Sequence, residues 1–211
     1  MAEGSTHIHV APVKRHWTLQ EVRLIGKGII RLASALSAGV PDTDMITQWA
    51  AMNGNGKWLS IAGRQEAVQE LEAIPCQEDK DKERDQLIQF LSPKRSLTWN
   101  FENLRGTGTV EMRRFPQSMT ADASLHWIGL TLSMLAICLD QDLELSRFVS
   151  MIEDSTGGSI DPPTGLHSLL TGGPLALFED LVMESAELLG LEDLVKFEAG
   201  FWRDQSLSRF T

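Results

Sequence analysis

An α+β protein, rich in helix and carrying one small antiparallel sheet backed by helices, is the fold class that this sequence of 211 residues predicts, and three observations predict it. Two long stretches repeat apolar residues at the 3-4-3-4 spacing of a helix face. Three short segments alternate apolar and polar residues with the period of two that a half-buried strand shows. The 42% hydrophobic and 23% charged content is that of a chain able to bury a core. The length suits a single domain over 1–211.

The first alternating segment is 5–11, where Ile8 and Val10 lie on one face and Ser5, His7 and His9 share the other. A capping box, Thr18-Leu19-Gln20-Glu21, then opens a helix over 18–38 with Val22, Ile25, Ile29, Leu32 and Leu36 as its buried stripe, closed by Gly39 and Pro41. Residues 45–57 start as helix and run into the turn Asn53-Gly54-Asn55-Gly56, and 63–92 are helical and strongly charged. Within them the mixed-sign tract 78–85 is a solvated helix start or surface loop. Leu97, Trp99 and Phe101 define a second strand in 96–101, with Thr98 and Asn100 on its opposite face. Val110 and Met112 define a third in 107–115, with Thr107, Thr109, Glu111 and Arg113 opposite. A central core helix follows over 125–139, with the stripe Leu125, Ile128, Leu132, Leu135 and Leu139 widened by Trp127, Leu130, Met134 and Ile137. A Gly/Pro-rich loop over 156–163 leads to two closing helices, 174–189 and 192–203.

Composition excludes several classes of function. Nineteen Lys and Arg stand against 29 Asp and Glu, a net charge of -10, and the basic residues do not cluster, so no nucleic-acid partner is expected. The longest apolar stretch, 128–139, is interrupted by Gly129, Thr131 and Ser133 and falls short of the roughly 20 residues that span a bilayer, so no membrane partner is expected either. Residues 1–9 carry Glu3 and no apolar run of the kind that makes a secretory signal. Cys76 and Cys138 build no disulfide framework and read as inert packing or loop residues, which makes the cytoplasm the expected compartment.

The second and third strands should pair as an antiparallel hairpin across 102–106. For their apolar faces to coincide, paired residue numbers must sum to an odd value. Asn100, Glu111 and Arg113 then line one side, and the 5–11 strand laid beside the hairpin adds His7 and His9. Two imidazoles, a carboxylate, a guanidinium and an amide on one face make the candidate site, expected to line the main pocket. That set suits a bound divalent cation with an anion beside it, or acid–base work on an anionic substrate. Glu111, Arg113 and His9 are its catalytic candidates, and His7, Asn100 and Thr109 its substrate-binding ones.

Three blocks, Gly4-Ser5-Thr6-His7-Ile8-His9-Val10-Ala11-Pro12 with Trp17-Thr18-Leu19, Trp99-Asn100-Phe101-Glu102-Asn103-Leu104, and Gly108-Thr109-Val110-Glu111-Met112-Arg113-Arg114, resemble in order and spacing the amidoligase family. That family is similar in fold to glutamine synthetase and glutamate–cysteine ligase, which join a carboxylate to an amine through an acyl phosphate made from ATP. The resemblance covers about 4–139. It implies a partial glutamine synthetase-like catalytic fold in which His7 or His9, with Glu111, reaches an ATP–Mg site, and Arg113 contacts phosphate or the substrate carboxylate. If that chemistry is retained, His7, His9 and Glu111 are the metal ligands. The strand with paired glutamates that precedes the His-x-His block in the family has no counterpart here, so the chain is expected to lack the family's N-terminal half. Its removal would expose a sheet edge that a second copy should cover, giving a homo-oligomer.

Three functions are compatible with these residues: an amidoligase-like ligase acting on a small-molecule carboxylate and an amine with ATP and Mg; a repurposed cyclase or isomerase working on the same face without ATP or metal; and a non-catalytic remnant that binds a partner. Activity in EDTA separates the first two.

Overall fold

The Thr18 capping box forms as the sequence predicts. The Thr18 backbone N–H donates to Glu21 Oε2 at 2.9 Å and the Glu21 N–H donates back to Thr18 Oγ1 at 3.2 Å, starting helix α1, Leu19–Gly39. Arg15 grips the same carboxylate through both amino groups, at 2.7 and 2.6 Å, and its hydrogen bonds hold the Glu21 carboxyl down at about 2. The predicted stripe Val22, Ile25, Ile29, Leu32 and Leu36 is buried throughout.

A computed structural model describes residues 5–39, 51–76, 81–140 and 174–195. Strand β1, Ser5–Val10, precedes α1; after it come a 3-10 segment, Asn53–Leu59, and helices α2, Ile61–Ala73, and α3, Asp81–Leu91. Strands β2, Trp99–Asn100, and β3, Val110–Pro116, flank a second 3-10 turn, Glu102–Arg105, and helices α4, Ala121–Leu139, and α5, Pro174–Leu189, close the set. The fold class is therefore α+β, helix-rich with one three-stranded antiparallel sheet of order β1-β3-β2. The helical start expected from residue 45, the 156–163 loop and most of the second closing helix lie outside the described residues. Of that last helix, 192–194 form a turn instead.

Helix α4 is the central core helix, packed against α1, α5 and β1, but its phase differs from the expected stripe. Trp127, Leu130, Met134 and Ile137 point inward, whereas Leu125 and Ile128 are 41% and 39% exposed. A helix apolar nearly all round has no preferred side in its periodicity, so neighbours decide which side is buried. By length and composition α4 is also long and apolar enough to cross a membrane, contrary to the expectation from 128–139 alone, yet 61% of that stretch is buried inside the protein. It crosses α1 so closely that a Cβ added at Gly28 would lie 2.2 Å from Cys138 Sγ. Burial pushes the Cys138 thiol up to about 12, as an inert packing residue requires.

The hairpin register has the predicted parity: Trp99 pairs with Met112 and Asn100 with Glu111. The strands themselves are shorter than expected. Residues 107–109 belong to the connection, β2 is two residues long, and Thr98 and Asn100 are fully buried. Between β1 and β3 the register shifts: Thr6 pairs with Phe115 but Ile8 with Met112, so His7 stands opposite the two residues Arg113 and Arg114. This bulge puts Phe115 back in phase with the core face, where it stacks on Trp127 with ring centroids 4.3 Å apart.

The turn Asn53-Gly54-Asn55-Gly56 has three successive residues at positive φ, 74°, 51° and 82° for the last three, the conformation Gly and Asn tolerate best. It delivers a buried Asn53 side chain whose Nδ2 donates to the carbonyls of Leu91 (2.7 Å) and Trp99 (2.8 Å) and whose Oδ1 accepts from the Trp99 N–H (2.9 Å). Asn53→Ala strands buried backbone groups, so a loss of about 2 kcal/mol or more is expected in chemical denaturation.

Candidate functional site

The site is built on the middle of β3. Glu111 occupies the central strand, and its direct cross-strand partners are His9 on β1 and Asn100 on β2. Period-two alternation brings His7 to the same side as His9, and Arg113 to the same side as Glu111.

These residues converge on one carboxylate, which is 2% exposed. Glu111 Oε1 lies 3.0 Å from His7 Nδ1, 3.4 Å from His9 Nε2 and 3.1 Å from Arg113 Nη1. Glu111 Oε2 accepts from Asn100 Nδ2 at 2.7 Å and Asn103 Nδ2 at 2.8 Å. Asn100 is held in turn by the Glu102 N–H, which donates to its Oδ1 at 2.9 Å. Thr109 Oγ1 stands 3.1 Å from His9 Nδ1, so with Nε2–H directed at Glu111 the threonine hydroxyl donates to His9 Nδ1. The other five residues expected at the site are thus gathered around Glu111, four directly and Thr109 through His9.

Two contributors escaped the sequence reading. Asn103 sits in the 3-10 turn of the connection, and its signal is the Asn100-x-x-Asn103 spacing, which brings both amides to Glu111 Oε2. Ser5 shares the face of His7 and His9 but was not singled out; its Oγ lies 2.7 Å from His7 Nε2.

Electrostatics divides the roles. Burial opposes ionisation of Glu111, but the Asn100 hydrogen bond, the Arg113 charge and the two imidazoles outweigh it and lower the carboxyl below its ordinary value. It stays a carboxylate with both oxygens engaged. His7 is lowered below 6.5, first by burial and then by the Arg113 charge, against the pull of Glu111. It is therefore neutral at pH 7. The two imidazoles form the open rim, with side chains 34% and 46% exposed.

Magnesium favours six oxygen ligands; the residues gathered here are one carboxylate, which accepts N–H bonds from Asn100, Asn103 and Arg113, and two imidazoles. Among the described residues no group of three or more His, Cys, Asp or Glu is arranged to hold a metal ion. Two clefts lined by described residues, one around Gly54, Trp58 and Phe90 and one around Ile74, Phe90 and Arg105, contain none of the six site side chains.

No protein family, curated protein or solved structure matches this chain.

Proposed function

We propose that this chain is a metal-independent enzyme of amidoligase-like ancestry, acting on a small-molecule carboxylate or amine with His7 and His9 as its proton carriers. Glu111 is the positioning anion that fixes both imidazoles, Arg113 receives the negative charge of the substrate, and Asn100, Asn103 and Thr109 hold the set in register. One observation carries this reading: Asn100, Asn103 and Arg113 hydrogen-bond the Glu111 carboxylate, while imidazole nitrogens of His7 and His9 stand 3.0 and 3.4 Å from it on the open side. A buried carboxylate that fixes the tautomer of a histidine is a recurring device of acid–base catalysis.

The same reading takes the helix-backed sheet as the later part of a glutamine synthetase-like catalytic fold, supported by its antiparallel order and the separation of its polar and apolar faces. It places the protein in the cytoplasm, in keeping with two free cysteines, and pairs copies of the chain along β1, which forms one edge of the sheet.

The deciding experiment incubates the protein with panels of small acids and amines, with and without ATP and Mg, and follows products by mass spectrometry. Turnover that persists in EDTA without ATP consumption is expected. Turnover that requires both ATP and Mg would restore the ligase in its place. The pH profile gives a second check. Because His7 is lowered below 6.5, its basic form persists on acidification past that value, so kcat/KM should hold through pH 6.5 and fall only below it. Arg113→Gln removes one of the groups that lower it, and the acid limb should then move upward.

A further inference from the structure

We propose that Ser5, His7 and Glu111 form a nucleophile–base–carboxylate relay, and that Ser5 Oγ accepts an acyl group from a small ester or thioester whose own carboxylate docks at Arg113. The inference rests on the reading of His7 as a proton carrier and adds the atom that attacks. Ser5 Oγ lies 2.7 Å from His7 Nε2, and His7 Nδ1 lies 3.0 Å from Glu111 Oε1. An imidazole that gives Nδ1–H to a buried carboxylate presents a lone pair at Nε2, where a serine O–H can donate. That is the geometry by which a weak hydroxyl nucleophile is activated.

The strand imposes this arrangement. Residues two apart in β1 share a face, so Ser5 necessarily stands beside His7, while β3 brings Glu111 to the other side of the ring. Ser5 and His7 are both exposed, whereas Glu111 is buried. Arg113 has donors left for a substrate: among the described residues its side chain makes one hydrogen bond, Nη1 to Glu111, and its buried Nε has no partner. A guanidinium with unused N–H groups, on the same face as His7 and Glu111, selects an acyl group that carries a second, anionic end.

The step balances without an external oxidant or metal. Ser5 Oγ bonds to the carbonyl carbon as its proton passes to His7 Nε2. The carbon–oxygen or carbon–sulfur bond to the leaving group then breaks, and the leaving group takes that proton. Water or an amine attacks the serine ester, gives its proton to His7 and releases a carboxylic acid or an amide, and the proton returns to Ser5.

The test uses the full chain and the mono-p-nitrophenyl ester of succinic acid, with p-nitrophenyl acetate for comparison. A burst of p-nitrophenolate close to one equivalent is expected, with a succinyl group mapped to Ser5 after an acid quench. Ser5→Ala, an exposed and isosteric change that leaves the sheet intact, should abolish burst and adduct. His7→Ala should slow the burst about 10²–10⁴-fold. Arg113→Lys should raise KM for the succinyl ester by a larger factor than KM for the acetyl ester. A succinyl group on any other residue, a burst that survives Ser5→Ala, or acylation no faster than in unfolded protein would overturn the proposal. If Ser5→Ala keeps EDTA-resistant turnover that His7→Ala loses, the nucleophile is wrong and the proton-carrier reading stands. If both variants keep it, both readings fail.

Discussion

Glu111→Gln is expected to cut kcat/KM about 10²–10⁴-fold, the contribution of a positioned acid–base system. The substitution nearly conserves volume, so its effect comes from charge and hydrogen bonding. Asn100, Asn103 and Arg113 donate N–H groups to the carboxylate, and imidazole nitrogens of His7 and His9 face it. A glutamine must turn its own NH2 toward one side, either against Asn100 and Asn103 or against His7, His9 and Arg113. Either choice sets donor against donor in a buried place, which costs about 1–3 kcal/mol. Loss of the anion also frees His7 to adopt the other tautomer. Parallel denaturation and kinetic measurements separate the two effects, because the modest stability loss leaves the protein folded. A variant that folds normally and keeps full activity would show that Glu111 does not organise the site.

The largest stability effect is expected at Trp127. Its ring is 1% exposed and stacked on Phe115 with an interplanar angle of 16°, so Trp127→Ala should cost about 3–5 kcal/mol. A lower denaturation midpoint at unchanged slope is the measurement. Leu125→Ala on the same helix is the comparison. With Leu125 41% exposed it should cost little, whereas had the helix faced inward along the Leu125–Leu139 stripe the order of the two variants would reverse.

That contrast shows where the sequence was informative. The start and stripe of α1 were legible because a reciprocal cap and a one-sided apolar pattern agree on one answer. The hairpin parity was legible because a wrong register would turn Trp99 or Met112 out of the core. Glu111, His7, His9, Asn100, Arg113 and Thr109 followed from parity and were all found together. The facing of α4 was not legible, since its apolar residues leave the choice to packing partners distant in sequence. The bulge opposite His7 was hidden for a related reason: Arg113-Arg114-Phe115 breaks the alternation, and only pairing with Thr6 shows that the phase is restored. Asn103 and Ser5 went unselected because a turn residue and a surface serine look ordinary until a partner stands within hydrogen-bond distance.

The Asn53 bracket bears on how the molecule opens. A two-residue strand should be the first part of a sheet to fray, and its amides the first to exchange with solvent. Here the Trp99 N–H and C=O are both tied to one side chain, and that side chain also holds the carbonyl of Leu91 at the end of α3. Neither β2 nor the end of α3 can detach without releasing the other and the Asn53 turn. The three therefore open as a single cooperative unit, and the shortest strand takes on the persistence of the helix to which it is fastened.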